Sequence, residues 1–519
     1  MFDYRKIPGC LLCAAALLLA VGAPARGDSV MSINKVPGQV ESKARRLMHD
    51  LMKQGFEVSR GYFKLWSIED CQYTIDKMGL CFGNNPAAPY ITFAVPPWPG
   101  EFVDSKSNLW GPSVPGYIDV YRFDPREAIV ILGHLPPPAA YFAEQTYLFT
   151  RQGVFSTDST RYKEIYEKFG AFANVFFATV PDNPDRIVAF SSLSNPNNNV
   201  VIERQSEAAF DRIRHFIITP DRFMEQAVRE AFAGISVTDK DIFSEPVPSD
   251  MKVGLDEASD NFSTFLRYAQ PEDEGAQGTR SDKWRTNLPL VVLRVRDTRL
   301  YREVQPYPPV VLETRTAVDE HSLEPDLGNL LFAISERWGQ PCTTADCSDR
   351  AESFIDLQTA PVFLVGPLCN EYGENCAGDN WDTAYQLLLP KSLDNGEIYA
   401  VAGTLGTETG NATYVGLGIN QVSNFTGVAN ISDARLKGTA SGYGGEAGNT
   451  DKFFLYYFTR DCSDLKYLTD GHCYEIPETM IPPGDHFLLT IRDYIVPDTE
   501  RGPDSSLVLP SRVLELTRP

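Results

Sequence analysis

Eight cysteines in four close sequence pairs set the terms for this chain. Ten are present in all, and Cys10 and Cys13 lie in an apolar leader. Arg5 and Lys6 precede the run Leu11 to Val21, and Ala23-Pro24-Ala25 supplies small residues for cleavage. This is the pattern of a secretion signal over residues 1–25. The run is too short for a bilayer span, and no later stretch is long and apolar enough for one. The chain is therefore expected to be secreted or periplasmic, soluble after cleavage and without a transmembrane segment.

In an oxidising compartment the remaining cysteines read as disulfides. Their spacing favours four local bridges: Cys71 with Cys81, Cys342 with Cys347, Cys369 with Cys376, and Cys462 with Cys473. Closing a loop of this size is worth about 2–3 kcal/mol in the chain-entropy model. Zinc is the competing reading for Cys342/Cys347 with Cys369/Cys376, but no histidine lies inside either pair and thiolates do not persist in such a compartment.

At 519 residues the chain exceeds a single ordinary core, so two or three domains are expected. A net charge of −22 argues against nucleic acid and against anionic membrane surfaces. After the signal, Val40, Ala44, Leu47, Met48 and Leu51 share one helical face, with Gly55 placed to stop it. Strand-like runs follow at Tyr90–Val95, Tyr117–Phe123, Ala128–Leu135, Tyr141–Phe149, Arg186–Leu193, Asn199–Glu203 and His215–Thr219. Thr219-Pro220-Asp221 then opens a helix whose stripe is Phe223, Ala227, Val228, Ala231 and Phe232.

Gln270–Asn287 is polar and aperiodic, a surface insertion, and Leu288–Val295 reads as a strong strand. Ser322 caps a helix carrying Leu327, Leu330, Leu331, Ile334 and Trp338, and residues 340–350 look like a hinge. Beyond it lie strand-like runs at Val362–Val365, Ala384–Leu389, Ile398–Ala402, Thr413–Ile419, Phe453–Phe458, Phe487–Ile491 and Leu507–Leu516. The predicted fold is β-rich α+β, a mixed α/β region over 57–340 behind a helical segment 26–56, then a sandwich-like β domain over 351–519. No repeat recurs at periods of about 20–50 residues.

The richest polar stretch is Cys369-Asn-Glu-Tyr-Gly-Glu-Asn-Cys376 with Asp379, Asn380 and Asp382 just behind it. Those three residues and Glu374 are hard oxygen donors on a disulfide-braced loop, a candidate calcium site although not an EF-hand. The simpler role for such residues is capping of local backbone groups. Trp98 and Trp110 in a proline-rich loop, and Trp381 beside the acidic loop, are candidate platforms for stacking a sugar or a peptide; tryptophan more often serves a core.

Catalytic signatures are absent. No Gly-x-Ser-x-Gly elbow occurs, and bridging leaves no free thiol. The six histidines are scattered, with His134 at a strand end the best placed for presentation. Gly442-Tyr-Gly444-Gly-Glu-Ala447 spells a dinucleotide fingerprint, but a strand follows it where a helix is required. Asn261, Asn411, Asn424 and Asn430 head glycosylation sequons. The sequence thus favours an exported, disulfide-stabilised binding protein for a saccharide or peptide. An exported carboxylate or metal-assisted hydrolase on glycan-type substrates, and a surface-assembly protein, are the alternatives. No cofactor is called for beyond calcium.

Overall fold

The helix expected after the signal forms as Gly38–Lys53 and buries Val40, Ala44, Leu47 and Leu51. It belongs to a computed structural model that describes residues 34, 36–274, 278–299 and 302–518. The expected signal at 1–25 and residues 275–277 of the polar insertion lie outside those residues.

Among the described residues, twenty strands carry the architecture, with two further two-residue strands beside them. Ten are in the N-terminal half: β1 Phe56–Arg60, β2 Tyr62–Trp66, β3 Tyr90–Ala94, β4 Glu127–His134, β5 Ala139–Gln152, β6 Asn183–Ser192, β7 Ile213–Thr219, β8 Ile242–Pro246, β9 Asn261–Pro271 and β10 Leu290–Asp297. Ten follow in the C-terminal half: β11 Glu352–Ser353, β12 Ile355–Asp356, β13 Thr383–Leu387, β14 Glu397–Thr404, β15 Tyr414–Gln421, β16 Thr426–Ser432, β17 Phe453–Thr459, β18 Cys473–Glu475, β19 Phe487–Tyr494 and β20 Arg512–Thr517. Two-residue pairings at Thr179–Val180 and Asn197–Asn198 supplement β6 and β5.

The sheets repeat. The first runs β1-β10-β4-β7-β8 and the third β11-β20-β14-β17-β18. In each, only the last pair, β7/β8 or β17/β18, is parallel. The second sheet runs β2-β3-β9-β5-β6 and the fourth β12-β13-β19-β15-β16. Each strand of the first half thus has a counterpart ten labels later, and no sheet mixes the halves. The chain is a duplicated unit.

Each half is layered in the same way. Helices Gly38–Lys53 and Arg222–Gly234 cover one face of the first sheet through Leu47, Leu51, Met224 and Val228. Its other face meets the second sheet through Ile129, Ile131, Phe216 and Val292 against Ile91, Phe93 and Leu148. In the second half, helix Glu324–Arg337 covers the third sheet through Leu327, Leu331 and Ile334. The opposite face packs on the fourth sheet through Val401 and Phe454 against Leu417 and Leu489. That helix therefore belongs with the C-terminal half, not with the 57–340 region. The predicted β-rich α+β class and the four local disulfides are present. Among the described residues no helix is long and apolar enough to cross a membrane.

Several local expectations are corrected. Asn199–Glu203 is helical, part of Asn199–Ser206, because the Asn198 side chain accepts from the Val201 N–H and caps a helix start. Tyr117–Phe123 makes only isolated bridges, Val95 to Ile118 and Tyr121 to Phe262, because the N–H groups of Asp119 and Val120 between them both turn to Ser107 O. Val362–Val365 is not a strand; Pro361 lacks an N–H to pair, and the chain turns directly into helix Gly366–Tyr372. The polar insertion ends in helix Arg280–Asn287, capped by Thr279. Ser322 is not a cap but sits in a single 3-10 turn leading into its helix.

Arg294 on β10 crosses the first sheet and pairs with Glu127 at 2.5 Å and Glu101 at 2.7 Å, all three side chains being fully buried. Its guanidinium lies 5.0 Å from the Trp98 ring centre. Removing one member of a buried ionic cluster strands the others. Arg294→Met should therefore cost about 3–5 kcal/mol in chemical denaturation; a cost under about 1 kcal/mol would mean the carboxyls simply protonate at little expense.

Candidate functional site

The 369–382 loop is the C-terminal half's docking element, and its counterpart is the 81–90 loop. Both descend from a short helix, Cys71–Met78 or Gly366–Tyr372, that a local disulfide ties to the loop base. Each then reaches across to the other half. Cys81 N–H donates to Asn424 O and Gly83 N–H to Phe425 O, at 2.8 and 2.7 Å. Reciprocally, Cys376 N–H donates to Ala189 O and Gly378 N–H to Phe190 O, both at 2.8 Å.

Side chains repeat the exchange. Asn85 donates to the Tyr414 hydroxyl at 3.2 Å and Asn380 to the Tyr141 hydroxyl at 2.7 Å. Asn84 accepts from Gly427 N–H at 2.9 Å, and Asp379 from Ser192 N–H at 2.7 Å. Gly83 and Gly378 have positive φ, and a Cβ there would stand 2.6 Å from the Phe425 ring and 2.8 Å from the Phe190 ring. The glycines let the loops lie flat on those rings.

The four expected calcium donors are therefore engaged separately. Asp379 also accepts from Ser192 Oγ and Gly366 N–H, at 2.7 and 2.8 Å. Burial, outweighing these donors, pushes its carboxyl up to about 6. Asp382 accepts from Tyr141 and Asn198 and pairs with Arg501. Glu374 pairs with Arg161 at 2.5 Å. Among the described residues no three His, Cys, Asp or Glu side chains gather around a metal-sized gap. Asn380 Oδ1 accepts from Asp382 N–H in its own loop, and the three carboxylates satisfy donors across the junction.

The stacking residues divide. Trp98 is buried under Arg294 and Arg296, and Trp110 is buried among Trp66, Phe149 and Phe265. Neither offers a face to solvent: the proline-rich loop lays Trp98 against β10 of the first sheet and Trp110 against the second sheet. Trp381 remains partly exposed; its indole N–H donates to Glu313 O at 2.8 Å and Arg315 lies on its ring. His134 is a strand-end residue whose ring contacts its neighbour's carbonyl, Leu135 O. Asn261 and Asn411 are buried, which removes two of the four sequons in the folded chain.

Glu313 lines an open groove of about 450 Å³ together with Ser194, Asn195, Asn197, Tyr307 and Val311. Asn195 holds the far wall by accepting from Glu313 N–H at 3.1 Å. Two glutamates that the sequence did not flag lie beneath it. Glu245 accepts from Ser194 Oγ at 3.1 Å and Thr146 N–H at 2.9 Å, and Glu144 accepts from Asn197 at 2.8 Å. Glu144 Oε1 and Glu245 Oε2 have no partner but each other. Burial and then the Glu245 charge push Glu144 well above the usual carboxylate range, and burial also raises Glu245, so the two facing oxygens are placed to share a proton. A second groove, of about 510 Å³, lies between helix Glu324–Arg337 and the glycine loop at Gly442 and Tyr443.

No protein-family model matches the chain, and no curated protein matches it in sequence. Among solved structures it is similar to an uncharacterized protein of Burkholderia cenocepacia, at 10% identity over 91% of this chain and 87% of that one, with a TM-score of 0.38. It is also similar to the VPA0106 protein of Vibrio parahaemolyticus, at 11% identity over 77% of this chain and 88% of that one, with a TM-score of 0.31. Likenesses this loose carry no argument.

The reciprocal contacts make a symmetric expectation. Asn85→Ala and Asn380→Ala should each lower unfolding stability by about 1–2 kcal/mol. Their unfolding transitions should remain single, since both hold the same junction. A loss confined to one variant, read by urea denaturation, would show that the exchange is one-sided.

Proposed function

We propose that this is an exported, disulfide-stabilised binding protein that takes a saccharide or a peptide segment in the groove between Ser194–Asn197 and Tyr307–Glu313. The observation that carries the reading is the chemistry of the groove wall. Amide and hydroxyl groups of Asn195, Asn197 and Ser194 face Tyr307, Pro308, Pro309 and Val311, and Val311 is 86% exposed. A few oriented polar groups on an apolar, open wall suit a neutral ligand with hydroxyls or amides. Trp381, bonded to Glu313 O beside the groove, adds a partly exposed aromatic edge. The four disulfides and the expected signal support export.

Oligosaccharide and peptide arrays probed with the oxidised protein, followed by calorimetric titration, test this. Val311→Arg and Trp381→Ala should weaken a captured ligand at least tenfold while leaving the melting temperature nearly unchanged. Binding indifferent to both substitutions would place the ligand elsewhere.

The Glu144–Glu245 pair favours one second reading, a hydrolase, because both carboxyls bond to groove residues. Neither reaches solvent, so turnover would require the Ser194–Asn197 segment to move. The pair has a consequence independent of catalysis. A carboxyl whose folded pKa is raised contributes stability that is complete below about pH 4 and is lost as pH rises through the raised value. Glu144→Gln replaces the shared proton with a permanent amide donor. That variant should lose less stability than the parent between about pH 5 and pH 8, and should exceed it at the upper end by roughly 1–2 kcal/mol. Parallel pH profiles would rule out the shared proton. Hydrolysis of any array hit that is lost in Glu245→Gln would favour the enzyme.

A further inference from the structure

The duplication brings two arginines to the same place from opposite halves. Arg267 on β9 stands opposite Tyr90 on β3, and Arg492 on β19 stands opposite Tyr385 on β13. These are counterpart strands at counterpart registers. Each arginine donates through Nη2 to the other half's docking glycine, Arg267 to Gly378 O at 2.8 Å and Arg492 to Gly83 O at 2.9 Å. They are 8% and 7% exposed, and the Nη1 atom of each is buried without a partner. Among the described residues no carboxylate lies within ion-pair distance of either guanidinium.

Both arginines line one cavity at the junction, of about 50 Å³, with Tyr90, Tyr385, Tyr494 and Asp379. A water needs about 10–15 Å³ by this measure, so the space holds more than one water and less than a large solute. Two guanidinium groups against the single Asp379 carboxylate leave one positive charge uncompensated. Asp379 is itself committed to Ser192 and Gly366. Its counterpart, Asn84, is neutral, so no second carboxylate closes the balance. Among the described residues the Tyr385 hydroxyl has no hydrogen-bond partner, so it is a further donor; burial raises the pKa of that phenol. Buried charge without a counter-charge is strongly disfavoured.

We propose that this cavity binds one small singly charged anion, a halide or a carboxylate of formate size, held by Arg267, Arg492 and the Tyr385 hydroxyl. The site is separate from the groove and does not depend on the ligand taken there. Bound anion would tie the two halves by bridging an arginine from each, and would stabilise only the joined state.

Crystals of the oxidised full chain grown in sodium bromide should show an anomalous peak between the two guanidinium groups. Ordered water alone in that cavity would overturn the proposal. In solution, chloride, bromide or formate should raise the melting temperature saturably over gluconate, which is too large to enter, at equal ionic strength. Tyr385→Phe, which leaves the packing in place, should weaken the response at least threefold, and Arg492→Gln at least tenfold. Equal melting temperatures in all four salts would equally overturn it. If Arg492→Gln fails to fold, the bromide map of the parent protein decides.

Discussion

Everything in this molecule hinges on backbone groups that one half cannot satisfy for itself. The carbonyls of Ala189 and Phe190 in one half, and of Asn424 and Phe425 in the other, turn out of their own sheets, and both phenylalanines have positive φ. Buried carbonyls need donors. The donors come from the opposite half's loop, through Cys376 and Gly378 or Cys81 and Gly83. The local disulfides fix each loop at its base, so little chain freedom remains to be lost on docking. The exchange also covers strand ends that would otherwise be open to pairing with another chain.

The two copies have diverged where the junction allows. Asn84 and Asp379 occupy equivalent places, but the amide bonds Gly427 in both directions while the carboxylate gathers three donors. The Glu144–Glu245 pair belongs to the N-terminal half alone, since the counterpart of Glu144 on β15 is Leu417. Tyr494 on β19 stands where β9 has Ala269, and it stacks on Tyr414 and meets Tyr141. The half with the glutamates also carries the open groove. Symmetry was kept where hydrogen bonds must match and relaxed where a surface could specialise.

Much of this was legible in the residues. Apolar periodicity located the helices at 38–53, 222–234 and 324–337, and short apolar runs, β-branched or in β17 aromatic, located β4, β7, β10, β14 and β17. Pairing of near cysteines followed from loop length alone. The long strand β9 was not legible, because Asn261-Phe-Ser-Thr-Phe-Leu-Arg267 lacks the alternation of a strand with one wet face: both of its faces are buried. Asp379, Asn380 and Asp382 were legible as a polar cluster but not as groups that bond across the junction, since Ser192, Tyr141 and Asn198 lie far off in sequence. The duplication had a signal: Cys81, Gly83, Asn85 and Tyr90 recur as Cys376, Gly378, Asn380 and Tyr385 at a constant offset. Its period is far longer than that of solenoid repeats. Arg267 and Arg492 fall outside that offset, because the loops between strands differ in length; only the sheet register pairs them.

The loop that carries Cys81 to Asn85 has a bearing on the order in which the chain can fold. Its acceptors, Asn424, Phe425, Gly427 and Tyr414, are made long after it, and those of Gly378 wait at Ala189 and Phe190. During synthesis the N-terminal half emerges with its lock unmet and its β6 carbonyls bare. Final closure is a late event between segments distant in the chain, the kind of contact that slows folding. A first half still waiting for the second is thus a species exposed to pairing with a second copy of itself, using the very contacts that later hold the finished molecule together.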